Sequence, residues 1–141
     1  MNRHILLDQA QREKLGIDAP RNVIGGLLET CCSEPMTGFY RTGACETGRN
    51  DRGAHVVCTQ VTTEFLDFLK KAGNDLITPA PQHNFTGLKP GDKWCVCAAS
   101  WKDACDHGVA APIVLSATHE RALDYIALEE LQANAIDFQN N

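Results

Sequence analysis

The chain has 141 residues, a length that fits one domain around one core. Hydrophobic residues make up 43% and charged residues 22%, which excludes a wholly disordered chain. The formal net charge of −5 argues against a nucleic-acid-binding surface, which needs a basic patch.

The first residues, Met1-Asn2-Arg3-His4-Ile5-Leu6-Leu7-Asp8, give three apolar residues and then an acid, which is no signal-peptide core. Val109 to Thr118 is the most apolar stretch, and Pro112 interrupts it; no run approaches the roughly 20 apolar residues of a membrane span. The expectation is a cytoplasmic protein without membrane contact. Its seven cysteines are then expected as thiols, thiolates or metal ligands, not disulfides.

In chain order, residues 1–20 read as a polar N-terminal arm, 21–136 as a single domain and 137–141 as a tail. Asn22 to Glu29 reads as a strand or strand pair broken by Gly25-Gly26. Gly38, Gly43, Gly48 and Gly53 lie five apart in a long loop over 33–54, a spacing that fits successive turns. His55 to Val61 is rich in valine and threonine and reads as a strand. A helix follows, with Thr62 or Thr63 as N-cap and Phe65, Phe68, Leu69 and Ala72 on one face. Lys70 and Lys71 suit its C-terminal end, and Gly73 its C′ position.

Asn74 to Asp92 is loop, with three prolines. Trp94 to Ala98 alternates as a strand would, and Ser100 is placed to cap a short helix over 101–107 that Gly108 ends. Ile113 to Ala117 reads as the next strand, parallel to 94–98, and Thr118 as the cap of another helix. The apolar phase slips near Tyr125–Ala127, so that helix is broken there. The expected class is α+β: one compact domain with a small mixed sheet, three or four short helices and long glycine-rich loops.

Several separated strings carry a resemblance. They are Cys31-Cys32-Ser33-Glu34-Pro35-Met36-Thr37-Gly38-Phe39-Tyr40-Arg41, His55-Val56-Val57-Cys58, Glu64-Phe65-Leu66 and Gly73-Asn74-Asp75-Leu76, followed by Gly87 through Ala98 and Ala117-Thr118-His119-Glu120. In this order they resemble the bacterial and plant family known as domain of unknown function 2237, over roughly residues 21–135. The resemblance implies a fold shared with other uncharacterised cytosolic proteins and implies no substrate. One departure is Ser100 before Trp101, where the family is associated with a basic residue.

The chemistry-bearing residues cluster in the first two thirds of the chain. Cys95 and Cys97 on a strand put both thiols on one face with Cα atoms about 6.6 Å apart. Such thiols either fill the core or join other ligands on a soft metal. Cys32, Cys45 and Cys58 are separated by thirteen positions each, which is not zinc-finger spacing, yet a tertiary site of Cys32, Cys45, Cys58 and Cys97 would suit zinc or iron. A site without any cofactor stands equally with it.

The alternative is nucleophilic catalysis by Cys32 with His55 and His119 as bases. His119 opens a helix, where the dipole disfavours its protonation. The loop around Arg41 lacks the Gly-Lys-Ser/Thr ending of a phosphate loop, which excludes that class of NTPase. Arg41 is placed either to bind an anion or to brace the loop against Asp51. Asn74, Asp75 and Trp94 complete the candidate ligand-binding set, with turn and core roles as their plainer readings.

The leading expectation is a small-ligand or metal site built from cysteine and histidine on the 31–58 and 73–97 segments. A non-catalytic interaction module, with cysteines as core filler, and a thiol redox sensor are the alternatives. A small-molecule or protein partner and a homo-oligomer are left open.

Overall fold

The computed structural model describes residues 20–138. The N-terminal arm expected over 1–20 therefore lies, but for Pro20, outside the described residues, as do the last three residues of the tail. The α+β class holds: among the described residues a two-stranded sheet is flanked by three α-helices and three 3-10 turns.

Strand β1, Val57–Gln60, pairs antiparallel with β2, Lys93–Val96. The register sets Val57 against Val96, Cys58 against Cys95, Thr59 against Trp94 and Gln60 against Lys93. Helix α1, Thr63–Lys71, leaves the end of β1 through Thr62, whose hydroxyl accepts from the Phe65 N–H as an N-cap does. Phe65, Leu66 and Leu69 are its buried face. Gly73 stops it at φ +98°, a conformation a side chain would resist.

Helix α2, Ala98–Asp106, starts earlier than its sequence implies. Strand β2 ends at Val96, Cys97 is the N-cap, and Ser100 lies within the first turn. The Ser100 hydroxyl meets the Cys97 sulfur at 3.1 Å instead of capping the backbone. Trp101 is fully buried, with its indole N–H satisfied by the Ala111 carbonyl at 2.9 Å.

The expected strand over 113–117 is not formed, and with it goes the parallel partner that would have made the sheet mixed. Pro112 has no N–H to give to a ladder, so the segment touches β1 at one antiparallel bridge, Thr59–Ile113, and then winds into a 3-10 turn at Leu115–Ala117. Asp137 fixes that turn by accepting from the Leu115 and Ser116 N–H groups at 2.7 and 3.0 Å. A single parallel bridge, Ile113–Ala135, docks the C-terminal segment there.

Two further expectations are corrected locally. Asn22–Glu29 is a tight turn, not a strand. The Asn22 side chain accepts from the Ile24 and Gly26 N–H groups and donates to the Leu27 and Ser116 carbonyls. The helix after Thr118 begins with His119 as N-cap of a 3-10 turn, Glu120–Asp124. The break near Tyr125 is present, and helix α3, Leu128–Ala133, follows it. Trp101, Phe65, Leu66, Leu69, Ile113, Ile126 and Leu131 make up the core against Val56 and Val57.

Candidate functional site

The loop over 33–54 is braced rather than loose. Its base is closed by the Gly43 carbonyl, which accepts from the N–H groups of both Cys31 and Cys32 at 2.7 and 3.0 Å. Its middle is tied to β2 by Thr37, a fully buried residue whose hydroxyl accepts the Cys95 N–H at 2.8 Å. Gly38 has φ +99°, and a Cβ there would press on the Ala44 carbonyl, so the turn requires glycine.

This loop and the 74–97 segment enclose a cleft of about 460 Å³. Phe39, Arg41, His55, Asn74, His83, Trp94 and Cys97 are among the residues that line it. Asp51 is buried behind His55. One carboxylate oxygen meets His55 Nδ1 at 2.6 Å, while the other accepts from the His55 N–H and the Thr47 hydroxyl, both at 2.9 Å. An ionised carboxylate only accepts, so Nδ1 carries the proton and Nε2 is left as the basic nitrogen of the neutral ring. Phe39 stacks on the imidazole at 6.0 Å between ring centres and a 22° interplanar angle.

Arg41 reaches the Gly38 carbonyl at 2.8 Å, and its guanidinium lies 5.1 Å from the Trp94 ring centre. The expected brace between Arg41 and Asp51 is replaced by these contacts, because Asp51 is taken up by His55 and Thr47. Arg41 holds φ +56°, an uncommon conformation for a side-chain-bearing residue. No aspartate or glutamate is among the described residues lining the cleft, although the whole chain is acidic. Among the described residues lining it, Arg41 thus carries the one fixed charge.

Cys97 is a free, half-buried thiol in this wall. As N-cap of α2 it sits at the end of a helix that favours negative charge. Reading Cys97 as a strand residue hides this position. Asp51, Phe39 and His83 are absent from the candidate set drawn from sequence. A carboxylate four residues before a histidine, in a loop already known to be glycine-rich, is the signal that was available for Asp51.

The remaining candidates fall elsewhere. Asp75 is not a cleft residue; its carboxylate accepts from the Ile77 and Thr78 N–H groups, and bonds from Thr78 and Ile77 hold its pKa down at about 2. His119 is also outside the cleft. Its Nδ1 accepts from the Arg121 N–H at 3.0 Å, and burial, then the Arg121 charge, lowers its pKa to about 4. Cys32 is a half-buried free thiol that joins neither the cleft nor the other sulfurs named for a metal.

The expectation of mostly free thiols is corrected. Cys31 bonds Cys58, and Cys45 bonds Cys95, leaving Cys32, Cys97 and Cys105 free. Cys45 and Cys58 do come together, as the metal reading required, but with Cys31 and not with Cys32 or Cys97. The pairing is tertiary. Cys58 and Cys95 face each other across the two strands, and each takes its partner from the segment folded over them.

A cysteine-rich α+β domain with a histidine–aspartate pair and a free thiol in one cleft is thereby defined. The chain belongs to the family described as an uncharacterized protein conserved in bacteria, domain of unknown function 2237, whose model matches residues 21–135. Among curated proteins no significant match is found. No helix among the described residues is long and apolar enough to cross a membrane.

Proposed function

We propose that the cleft binds a small anionic molecule and acts on it through the Cys97 thiol, with His55 as base. The observation that carries this reading is one cleft lined by Cys97, Arg41 and a histidine whose Nδ1 is fixed by buried Asp51. A thiol nucleophile needs a base, and the base needs a group to orient it. Cys97, His55 and Asp51 have those three roles. His55 Nε2 takes the thiol proton, the sulfur adds to a carbonyl carbon of the bound molecule as the C=O π electrons move to oxygen, and His55 returns the proton to that oxygen. Arg41 pairs with the ligand's carboxylate or phosphate, and the Trp94 and Phe39 rings supply its apolar walls. Asn74 adds a polar contact at the rim.

The compartment this reading assigns is the cytoplasm, where a reactive free thiol stays reduced. Arginine pairing and an acidic chain also fit a small-molecule partner better than a nucleic acid.

A melting-temperature screen against small carboxylates and phosphate esters tests the binding step. A ligand at about 100 times its Kd stabilises by about 2.7 kcal/mol, a shift of several degrees for a domain of this size. The expected result is a class of anions that raises the melting temperature of the wild type and not of Arg41→Gln. Anions that stabilise both proteins equally would contradict the role of the cleft.

A further inference from the structure

Cys31, Cys45, Cys58 and Cys95 form a buried cluster with Ala117, separate from the main core. The sulfurs of Cys31, Cys45 and Cys58 all lie within 4.8 Å of one another, and Cys95 is bonded to Cys45. A tetrahedral zinc site with Zn–S of about 2.3 Å needs sulfurs roughly 3.8 Å apart. Side-chain rotation covers that difference once the S–S bonds are open.

Backbone hydrogen bonds hold three of these four positions independently of the sulfur bonds. Cys58 and Cys95 are directly opposed in the β ladder. The Cys31 N–H donates to the Gly43 carbonyl, the Cys58 N–H to the Thr118 hydroxyl and the Cys95 N–H to the Thr37 hydroxyl. Opening the disulfides therefore leaves three thiols, those of Cys31, Cys45 and Cys58, within 4.8 Å of one another, and Cys95 as the fourth through its position beside Cys45. Cys95 also lines the cleft, which gives an ion a route to the cluster.

We propose that this cluster is a zinc site in the reduced protein, a tetrathiolate that replaces the two disulfides. The chemistry balances with a dithiol reductant. Each S–S bond takes two electrons and two protons from one dithiol, which is itself oxidised to a disulfide. Zinc then forms four Zn–S bonds and releases the four thiol protons. Thiolates select zinc over harder divalent ions. The site is independent of Cys97 and His55.

The test uses the full chain, reduced under argon with a phosphine, which is oxidised to the phosphine oxide and offers no competing thiol. Zinc is titrated against a chromophoric chelator, followed by alkylation and peptide mapping. The expected result is one zinc per chain, with Cys31, Cys45, Cys58 and Cys95 protected and Cys32, Cys97 and Cys105 labelled. Cobalt(II) in place of zinc is expected to give thiolate charge-transfer and intense tetrahedral visible absorption. Cys95→Ser and Cys31→Ser lose stoichiometric binding, whereas Cys105→Ser keeps it.

Circular dichroism of the reduced wild type covers the case in which serine variants fail to fold. Reduced protein that unfolds under chelator and refolds on adding zinc supports the site. A folded reduced protein that takes up no zinc overturns it. So does zinc that protects Cys32 or Cys97 instead of the cluster, and so does an unfolded reduced protein that zinc does not restore.

Discussion

Two histidines show how the same side chain is set to opposite purposes by its immediate partners. His55 is partly exposed, faces the cleft and is oriented by a buried carboxylate. His119 is buried, and its Nδ1 is used up as a cap for the following turn. Burial first, and Arg121 second, lower the His119 pKa from 6.5 to about 4. The unfolded chain therefore binds a proton that the folded chain rejects between those values. The stability this provides is complete above about pH 6.5 and is lost as the pH falls toward 4. His119→Asn keeps a capping side chain and removes the titration. The variant's melting temperature is expected to fall less than that of the wild type between pH 7 and pH 4. Parallel curves would show that His119 does not carry the acid sensitivity. The sequence placed this histidine at the start of a helix capped by Thr118; it showed neither that His119 is itself the cap of a 3-10 turn nor that its Nδ1 is spent on the backbone.

At the scale of elements, the local signals that survived are those in which one residue settles its own geometry. Thr62 caps α1, Gly73 ends it, and the slip in apolar phase near Tyr125 does mark a break. The signals that failed depend on a partner far away in sequence. The apolar, β-branched start of Ile113–Ala117 promises a strand, but Pro112 cannot donate and Asp137 winds the segment into a turn. Ser100 looks like a cap, yet Cys97 already begins α2. The 33–54 loop was legible as a series of glycine turns, while its seating on β2 through Thr37 was not. Gly53 tests how closely this loop supports the site. A Cβ there would lie 2.8 Å from His55 Cε1, so the imidazole tip must move while the backbone need not. Gly53→Ala is expected to change stability by less than about 1 kcal/mol in urea unfolding. It is expected to shift the His55 Cε1–H resonance and to slow Cys97 alkylation. An unmoved resonance would mean that the ring has room the structure does not show.

Across the whole molecule, the fold is a short antiparallel strand pair with a loop layer fastened onto it at sulfur. The two disulfides close separations of 27 and 50 residues. Loop-closure entropy then gives roughly 3.5 and 4 kcal/mol from restricting the unfolded chain. Reduction in the presence of a chelator is expected to lower the denaturation midpoint strongly, and zinc to restore much of it. An unchanged midpoint on verified reduction would show that the sulfur layer contributes little. The cysteine count pointed to a sulfur-based site, and the 31–58 and 73–97 segments do come together in space. Which cysteines meet was not legible, because Cys31 and Cys45 reach β1 and β2 only through the folded loop.

The most direct test of the cleft compares two alkylating agents of similar size, anionic iodoacetate and neutral iodoacetamide, on the native protein. Rates are read separately at Cys32, Cys97 and Cys105 by peptide mapping. Cys105 is expected to react slowly, because burial and then the Glu130 charge raise its pKa. Cys97 is expected to react fastest, with an iodoacetate-to-iodoacetamide ratio several-fold above that of Cys32. Arg41→Gln brings that ratio down to the Cys32 value, and His55→Gln slows both reagents at Cys97. A Cys97 no faster than Cys32, or a ratio indifferent to Arg41, would contradict an anion-binding thiol site in this cleft.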